Sequence, residues 1–311
     1  MNVLFIGFGS IAAKHYQALR TLRPEASVYA LRSHRGVSVT PGVKDIFSWD
    51  EVPPAISFAI ISNPTFKHIE TLRELVRRKI PAFIEKPVSH TLDGLDMLAE
   101  QIEGQKLPTY VACNLRFLPA LQHFKNEILP KCGKINEVSV YCGSYLPEWR
   151  KGEDYTKNYS AREEMGGGVH LDLFHELDYT CWLFGLPLRS AGMISNKSSL
   201  NISSADFASY RLIYADFTGL ITLNYFRRDP KRTMEMVTAE GTFQVDIIAN
   251  TVSNSKGELI FSQAGFAIKD TYLAQMDYFL GTFERQNGFM NSFSESLRIL
   301  KICLNCEKVN R

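Results

Sequence analysis

No stretch of this 311-residue chain reaches the roughly 18 consecutive apolar residues of a membrane-spanning helix, so a membrane association is not expected. No block of like charge stands out either. Lys and Arg number 35 against 33 Asp and Glu, for a net charge of +2, and nothing in that balance supplies the basic face a nucleic-acid partner needs. The first residues lack a charged segment followed by a separate apolar stretch and a small-residue cleavage site, and a cytoplasmic location is expected. Cysteine is sparse. Cys113, Cys132, Cys142, Cys181, Cys303 and Cys306 lie scattered in apolar surroundings, which suits reduced core thiols. Cys303 and Cys306 form a single CxxC with no second ligand pair, inside what reads as a helix, so no metal site is expected. Repeats and low-complexity tracts are also absent. What remains is 45% hydrophobic and 22% charged, long enough for two domains with separate cores.

The most informative stretch is VLFIGFGSIAAKH, Val3 to His15. The apolar run Val3-Leu4-Phe5-Ile6 reads as a buried parallel strand, and it passes directly into Gly7-Phe8-Gly9-Ser10-Ile11-Ala12, the spacing G-x-G-x-x-A. Gly7 permits the tight turn, Gly9 lets the backbone approach a pyrophosphate, and small Ala12 lets the following helix pack on the strand. The first-turn N–H groups of that helix, with Ser10 and Ile11 at its start, are free to receive phosphate. This context, strand before and helix after, points to dinucleotide binding.

A second strand, Ala26 to Leu31, follows. Where many NAD-binding chains then carry an acid for the ribose 2′-hydroxyl, this one has Arg32-Ser33-His34-Arg35. Arg32 and Ser33 suit a 2′-phosphate, so NADP is the expected cofactor, with NAD possible; the plain alternative is a pair of solvated loop charges. Ser57 to Ser62 is a third strand, followed by Asn63-Pro64-Thr65 and a helix from near His68. Ala82-Phe83-Ile84 is a fourth strand and delivers Glu85-Lys86-Pro87. A helix from Leu92 to Ile102 and a strand from Thr109 to Cys113 lead to Asn114-Leu115-Arg116-Phe117. This alternation predicts an α/β fold whose N-terminal part, residues 1–118, is a Rossmann-type doubly wound parallel sheet. Asn63, Thr65, His68 and Lys86 stand at or just after its strand ends, on the side where such sheets bind their ligand, and Asn114 and Arg116, which follow the last strand, are further cofactor-binding candidates.

Residues 119–311 predict a C-terminal α+β domain with a mostly antiparallel open sheet. A helix (Pro119 to Leu129) and a strand (Ile135 to Gly143) lead into a polar and aromatic loop from Ser144 to Tyr159. Gly166-Gly167-Gly168 then open a helix on which Gly168, Asp172, His175 and Tyr179 share a face by spacing, with His170 pointing away as a structural residue. Strands are expected at Phe207 to Tyr214, Leu220 to Phe226, Thr233 to Glu240, Phe243 to Ile248 and Leu259 to Ser262. A last helix, Ser294 to Lys308, is expected to pack back on both domains.

With these motifs taken together, the chain resembles the family of glucose-fructose oxidoreductase, inositol dehydrogenase and MocA over essentially its whole length. The resemblance rests on Gly7 to His15, Ser62-Asn63-Pro64 with His68, Glu85-Lys86-Pro87, Asn114 to Phe117, and the triple glycine with Asp172 and His175. It implies that Lys86, Asp172 and His175 match the catalytic lysine, aspartate and histidine, and that Gly7, Gly9, Asn63 and Glu85 match cofactor-contacting positions. Two departures are Asn63-Pro64-Thr65, where the family often has Pro-Asn, and the missing acid after the second strand.

The chemistry fits those residues. Removing hydride from a secondary alcohol requires a base for the hydroxyl proton, and an imidazole, with an ordinary pKa of about 6.5, suits that task. His175 is the expected base, Lys86 the cation that stabilises charge on the oxygen, and Asp172 the group that orients substrate. The expected activity is hydride transfer between NAD(P) and a sugar, cyclitol or nucleotide-sugar derivative, as in surface polysaccharide or sugar-acid metabolism. A non-catalytic NAD(P)-sensing regulatory or scaffold protein on the same fold is the second reading, and an isomerising or eliminating sugar enzyme that keeps its cofactor bound is a third. In the loop, Trp149, Arg150 and Tyr159 are candidate substrate contacts. Arg150, Lys151, Lys157 and Arg162 suit an anionic sugar, unless Glu148, Glu153, Asp154, Glu163 and Glu164 neutralise them. A homo-oligomer, dimer or tetramer, is expected through the C-terminal sheet.

Overall fold

The apolar run at the N-terminus has no polar face to turn towards water, and it lies inside a sheet covered on both sides. The computed structural model describes residues 1–36, 39–150 and 152–309. The elements β1 (Asn2–Ile6), α1 (Ser10–Leu22), β2 (Ser27–Leu31), β3 (Val43–Ile46), β4 (Phe58–Ile61), α2 (His68–Arg78), β5 (Ala82–Glu85), α3 (Leu95–Gly104) and β6 (Thr109–Ala112) come first. Their six strands are all parallel, in the order β3-β2-β1-β4-β5-β6. In that order the strand sequence reverses beside β1, and ligands bind beyond the carboxyl ends at such a point. Helix α3 starts at Leu95, later than its apolar pattern suggests, because Gly94 at φ +69° caps it.

The chain continues through α4 (Pro119–His123), β7 (Ile135–Tyr145), α5 (Val169–Asp172), α6 (His175–Phe184), β8 (Arg189–Ser195), β9 (Phe207–Ile213), β10 (Thr218–Asn224), β11 (Phe226–Thr238), β12 (Gly241–Asp246), β13 (Thr251–Asn254) and β14 (Leu259–Ser262). Then follow α7 (Thr271–Glu284), α8 (Phe293–Leu304) and β15 (Cys306–Val309). A nine-stranded sheet of order β14-β13-β12-β11-β7-β10-β9-β8-β15 results. It is mostly antiparallel, with parallel pairs at β10–β7 and β15–β8. Alternate residues of its strands, such as Val138, Val140 and Cys142 of β7 and Met234 and Met236 of β11, are buried. Charged groups of α6 tie into the same unit. Glu176 pairs with Arg232 of β11 at 2.6 Å, and Asp178 takes both arms of Arg116, at 2.9 and 2.7 Å.

Residue contacts group Met1–Cys113 with Tyr272–Arg298, and Asn114–Thr271 with the stretch from Ile299 onward. Beside the expected boundary at 118/119, therefore, residues 272–298 return to the first unit. Helix α7 supplies that unit's core: Phe279 meets Phe58 edge-on at 4.8 Å and Phe83 at 5.1 Å, and Met276 and Leu280 are fully buried with them. The expected final helix is shorter than its apolar pattern, since it ends at Leu304. Residues Cys306 to Val309 extend instead as a strand along β8, so Cys306 is not helical. Among the described residues no helix is long and apolar enough to cross a membrane.

Candidate active site

In the first unit the turn from β1 to α1 is built by two glycines with different reasons. Gly7 has φ +79°, and a Cβ there would lie 2.7 Å from the Asn63 Cα, so the chain beyond β4 closes directly onto it. Gly9 caps α1 in an extended conformation with no side chain bonded to the helix N–H groups, and no atom lies within 4 Å of where its Cβ would be. Ala12 is fully buried in the core below, while Ser10 and Ile11 begin the helix above it. Ile6, Gly7, Arg32, Ser33, Asn63 and Phe66 line a crevice of about 890 Å³ at these strand ends, within the usual size of ligand sites. The Asn63 side-chain amide donates to Thr71 at 2.8 Å and keeps a buried oxygen, Oδ1, with no partner among the described residues. An open glycine cradle, an uncapped helix start and an orphaned acceptor are the features a dinucleotide fits.

Three residues expected in this crevice are engaged elsewhere. His68 is buried, with Nδ1 3.0 Å from the Pro87 carbonyl and Nε2 2.9 Å from that of Asn63. It ties the β4 and β5 loops together instead of facing a cofactor, and burial pushes its pKa down. Arg116 is buried and committed to Asp178, a pairing whose partners lie 62 residues apart. Asn114 is likewise buried and donates to Thr271 at 2.6 Å. Glu85 at the end of β5 reaches back to α1, its Oε1 2.5 Å from His15 Nε2, and Lys86 follows it directly. Arg32 lies against Asp45 of β3, at 2.7 Å, a partner the sequence reading did not supply.

In the second unit the expected single helix breaks. Helix α5 ends at Asp172, Leu173 leaves helical geometry with ψ +33°, and α6 begins at His175, so Gly168, Asp172, His175 and Tyr179 do not share one helix face. Asp172 accepts a hydrogen bond of 2.5 Å from the hydroxyl of Tyr225, a fully buried residue at the β10–β11 junction. Tyr159 feels the same carboxylate: the Asp172 charge, and then burial, push its pKa up. The Arg150 guanidinium lies 5.5 Å from the Tyr159 ring, and Trp149 meets Tyr225 edge-on at 5.3 Å. Trp149, Arg150 and Tyr159 therefore gather with Asp172 around Tyr225. The triple glycine makes this possible. A Cβ on Gly167 would sit 2.0 Å from the Tyr159 carbonyl, so the turn carrying Tyr159 packs straight onto glycine backbone. Most loop charges are paired, Lys157 with Asp154, Arg162 with Glu164 and Lys308 with Glu163; Lys151 lies outside the described residues.

His170 is structural, as expected, and burial pushes its pKa down to about 4. The unfolded chain takes up a proton near pH 6.5 that the folded chain refuses until about pH 4, so acid favours unfolding across that window. Stability is expected to fall by about 3 kcal/mol between those limits from this group, with His68 acting in the same direction. Urea unfolding at pH 7 and pH 4.5 measures it. His170→Gln should flatten the dependence, and an unchanged slope would refute the assignment.

Residues 1–112 match the family model GFO_IDH_MocA, described as an oxidoreductase family with an NAD-binding Rossmann fold. Over these residues the chain is similar to that family. An uncharacterized oxidoreductase, sll0816 of Synechocystis sp., is 29% identical over 175 residues, 55% of this chain and 46% of that protein, so the matched stretch spans under half of the relative. Levoglucosan dehydrogenase in complex with NADH superposes with a TM-score of 0.83 at 15% identity, covering 98% of this chain and 95% of that one. UDP-N-acetylglucosamine 3-dehydrogenase GnnA from Acidithiobacillus ferrooxidans does so at 0.78 and 18%, covering 98% and 96%. At these identities the likeness is one of fold.

Proposed function

We propose that this chain is a member of the GFO_IDH_MocA family and an NAD(P)-dependent dehydrogenase or reductase acting on a secondary hydroxyl or keto group of a sugar, cyclitol or nucleotide-sugar. The observation that carries this reading is the open cradle at Gly9, before an uncapped helix, together with the unpartnered side-chain oxygen of Asn63 packed on Gly7. Gly7, Gly9 and the N–H groups of Ser10 and Ile11 hold the pyrophosphate, Asn63 the nicotinamide end, and Arg32 and Ser33 the adenosine ribose, with NADP the preferred dinucleotide. When bound, the nicotinamide supplies the acceptor or donor of hydride. His175 takes the hydroxyl proton, the Lys86 ammonium opposes the charge that develops on that oxygen, and Asp172, held by Tyr225, orients the substrate. The aromatic rings of Trp149 and Tyr159 suit sugar faces, and Arg150 suits an anionic group on the substrate. A homo-oligomer through the open face of the nine-stranded sheet, where Leu220 is exposed, belongs to the same reading. The test is absorbance at 340 nm when the protein meets oxidised dinucleotide and a panel of neutral and anionic sugars. Dinucleotide reduction with at least one sugar class is expected, and none with any class overturns the reading.

Tyr225 is not among the residues the sequence singles out, and its hydroxyl donates to Asp172 Oδ2. A hydrogen bond to a charged group contributes about 1.5 to 3 kcal/mol, so Tyr225→Phe should lower kcat/KM roughly ten- to a hundredfold and leave dinucleotide affinity within a few-fold. An unchanged kcat/KM would remove Tyr225 from the site.

A further inference from the structure

Arg32 is not a loose loop charge. It leaves the end of β2 and lies across the glycine turn, its guanidinium 4.8 Å from the Phe8 ring centroid and its Nη1 3.4 Å from the Phe8 carbonyl. Its Nε donates to Asp45 Oδ1 at 2.7 Å, and Nη2 is buried with no partner among the described residues. Only 9% of the Arg32 side chain and 18% of that of Asp45 is exposed. Asp45 comes from β3, paired in register with Ala30 of β2, so the sheet itself brings an acid beneath the position where the end of β2 has none.

We propose that Asp45 is a specificity-determining residue, which sets the balance between NAD and NADP by countering and fixing Arg32; this rests on the dinucleotide reading of the crevice. Two physical effects act in one direction. The carboxylate offsets the arginine's attraction for a 2′-phosphate dianion, while a neutral 2′-hydroxyl loses nothing by it. Asp45 also occupies Nε, so the arginine cannot present its Nε–Nη2 edge to the phosphate without releasing the acid. The preference for NADP that Arg32 and Ser33 confer is thereby held down, and part of the acid's usual role after β2 passes to a neighbouring strand.

The experiment is a double-mutant cycle on dinucleotide affinity, titrating NAD and NADP against wild type, Asp45→Asn, Asp45→Ala, Arg32→Ala and the Asp45→Asn/Arg32→Ala double variant. Both Asp45 variants should raise the ratio of the NAD Kd to the NADP Kd by about tenfold over wild type, and the gain should vanish when Arg32 is also alanine. A ratio that does not move while wild type binds dinucleotide overturns the role of Asp45 and leaves the crevice reading intact. A gain that persists without Arg32 overturns the coupling between the two residues. Failure of wild type to bind either dinucleotide overturns the crevice reading and this inference with it.

Discussion

His175→Ala is expected to lower turnover by two to four orders of magnitude while the Kd for dinucleotide stays within a few-fold. The reason is where the group acts. A positioned acid–base residue contributes about 10² to 10⁴ in rate; His175 belongs to α6 of the second unit and is not among the residues that line the crevice of the first, where Gly7 and Asn63 do. Lys86→Ala should behave in the same way. Removing a cation that opposes charge on the reacting oxygen forfeits about 10² to 10³ in kcat, the range found for single oxyanion donors. Lys86 follows directly on β5, whose last residue, Glu85, is anchored to His15 of α1, so the backbone that presents it is held by the nucleotide-binding unit itself. Turnover and dinucleotide affinity are to be measured on the same preparations. A variant that keeps near wild-type turnover loses its assigned role, and one that loses dinucleotide binding instead belongs to the crevice.

How far the sequence could be read follows from how local each feature is. The β1–α1 turn is legible because its reasons lie within a few residues: an apolar strand, two glycines and a small residue. The parallel sheet is legible because its strands are short apolar runs separated by helical patterns. Pairings between distant residues leave no such trace. Asp45 lies 13 residues from Arg32 and Asp178 lies 62 from Arg116, so neither spacing marks a partner, and Arg116 reads as a free site cation when it is a buried structural one. His68 misleads for the same reason, since its ring partners are backbone carbonyls that no side-chain pattern encodes.

Helix α7 is different, because its signal was present. Met276, Phe279, Leu280 and Phe283 recur at i, i+3, i+4 and i+7, the spacing of a helix face, and that face fills the core of the first unit. The break between α5 and α6 had no comparable signal, as the apolar residues Leu171, Phe174 and Leu177 keep helical spacing across it. Tyr225 was hidden among strand residues, where a tyrosine ordinarily serves packing. Its fully buried hydroxyl on a carboxylate becomes visible only in three dimensions.

The second large effect is expected at Gly9, and it isolates the ligand from the protein. Gly9 has φ −94° and ψ −161°, a conformation open to any residue, and no atom within 4 Å of a Cβ. A side chain there strains nothing in the fold and projects into the space where the pyrophosphate must approach the backbone. Gly7 could not serve, because φ +79° and the 2.7 Å approach of Asn63 would damage the fold itself. The measurement is calorimetric titration of NADP and NAD into wild type and Gly9→Val, with the melting temperature of each recorded without ligand. The account predicts melting temperatures within a few degrees of each other, the difference being the poorer helix cap that valine makes, dinucleotide binding by wild type, and a loss of at least about a hundredfold in affinity for the variant. A Gly9→Val protein that binds dinucleotide as wild type does would contradict it.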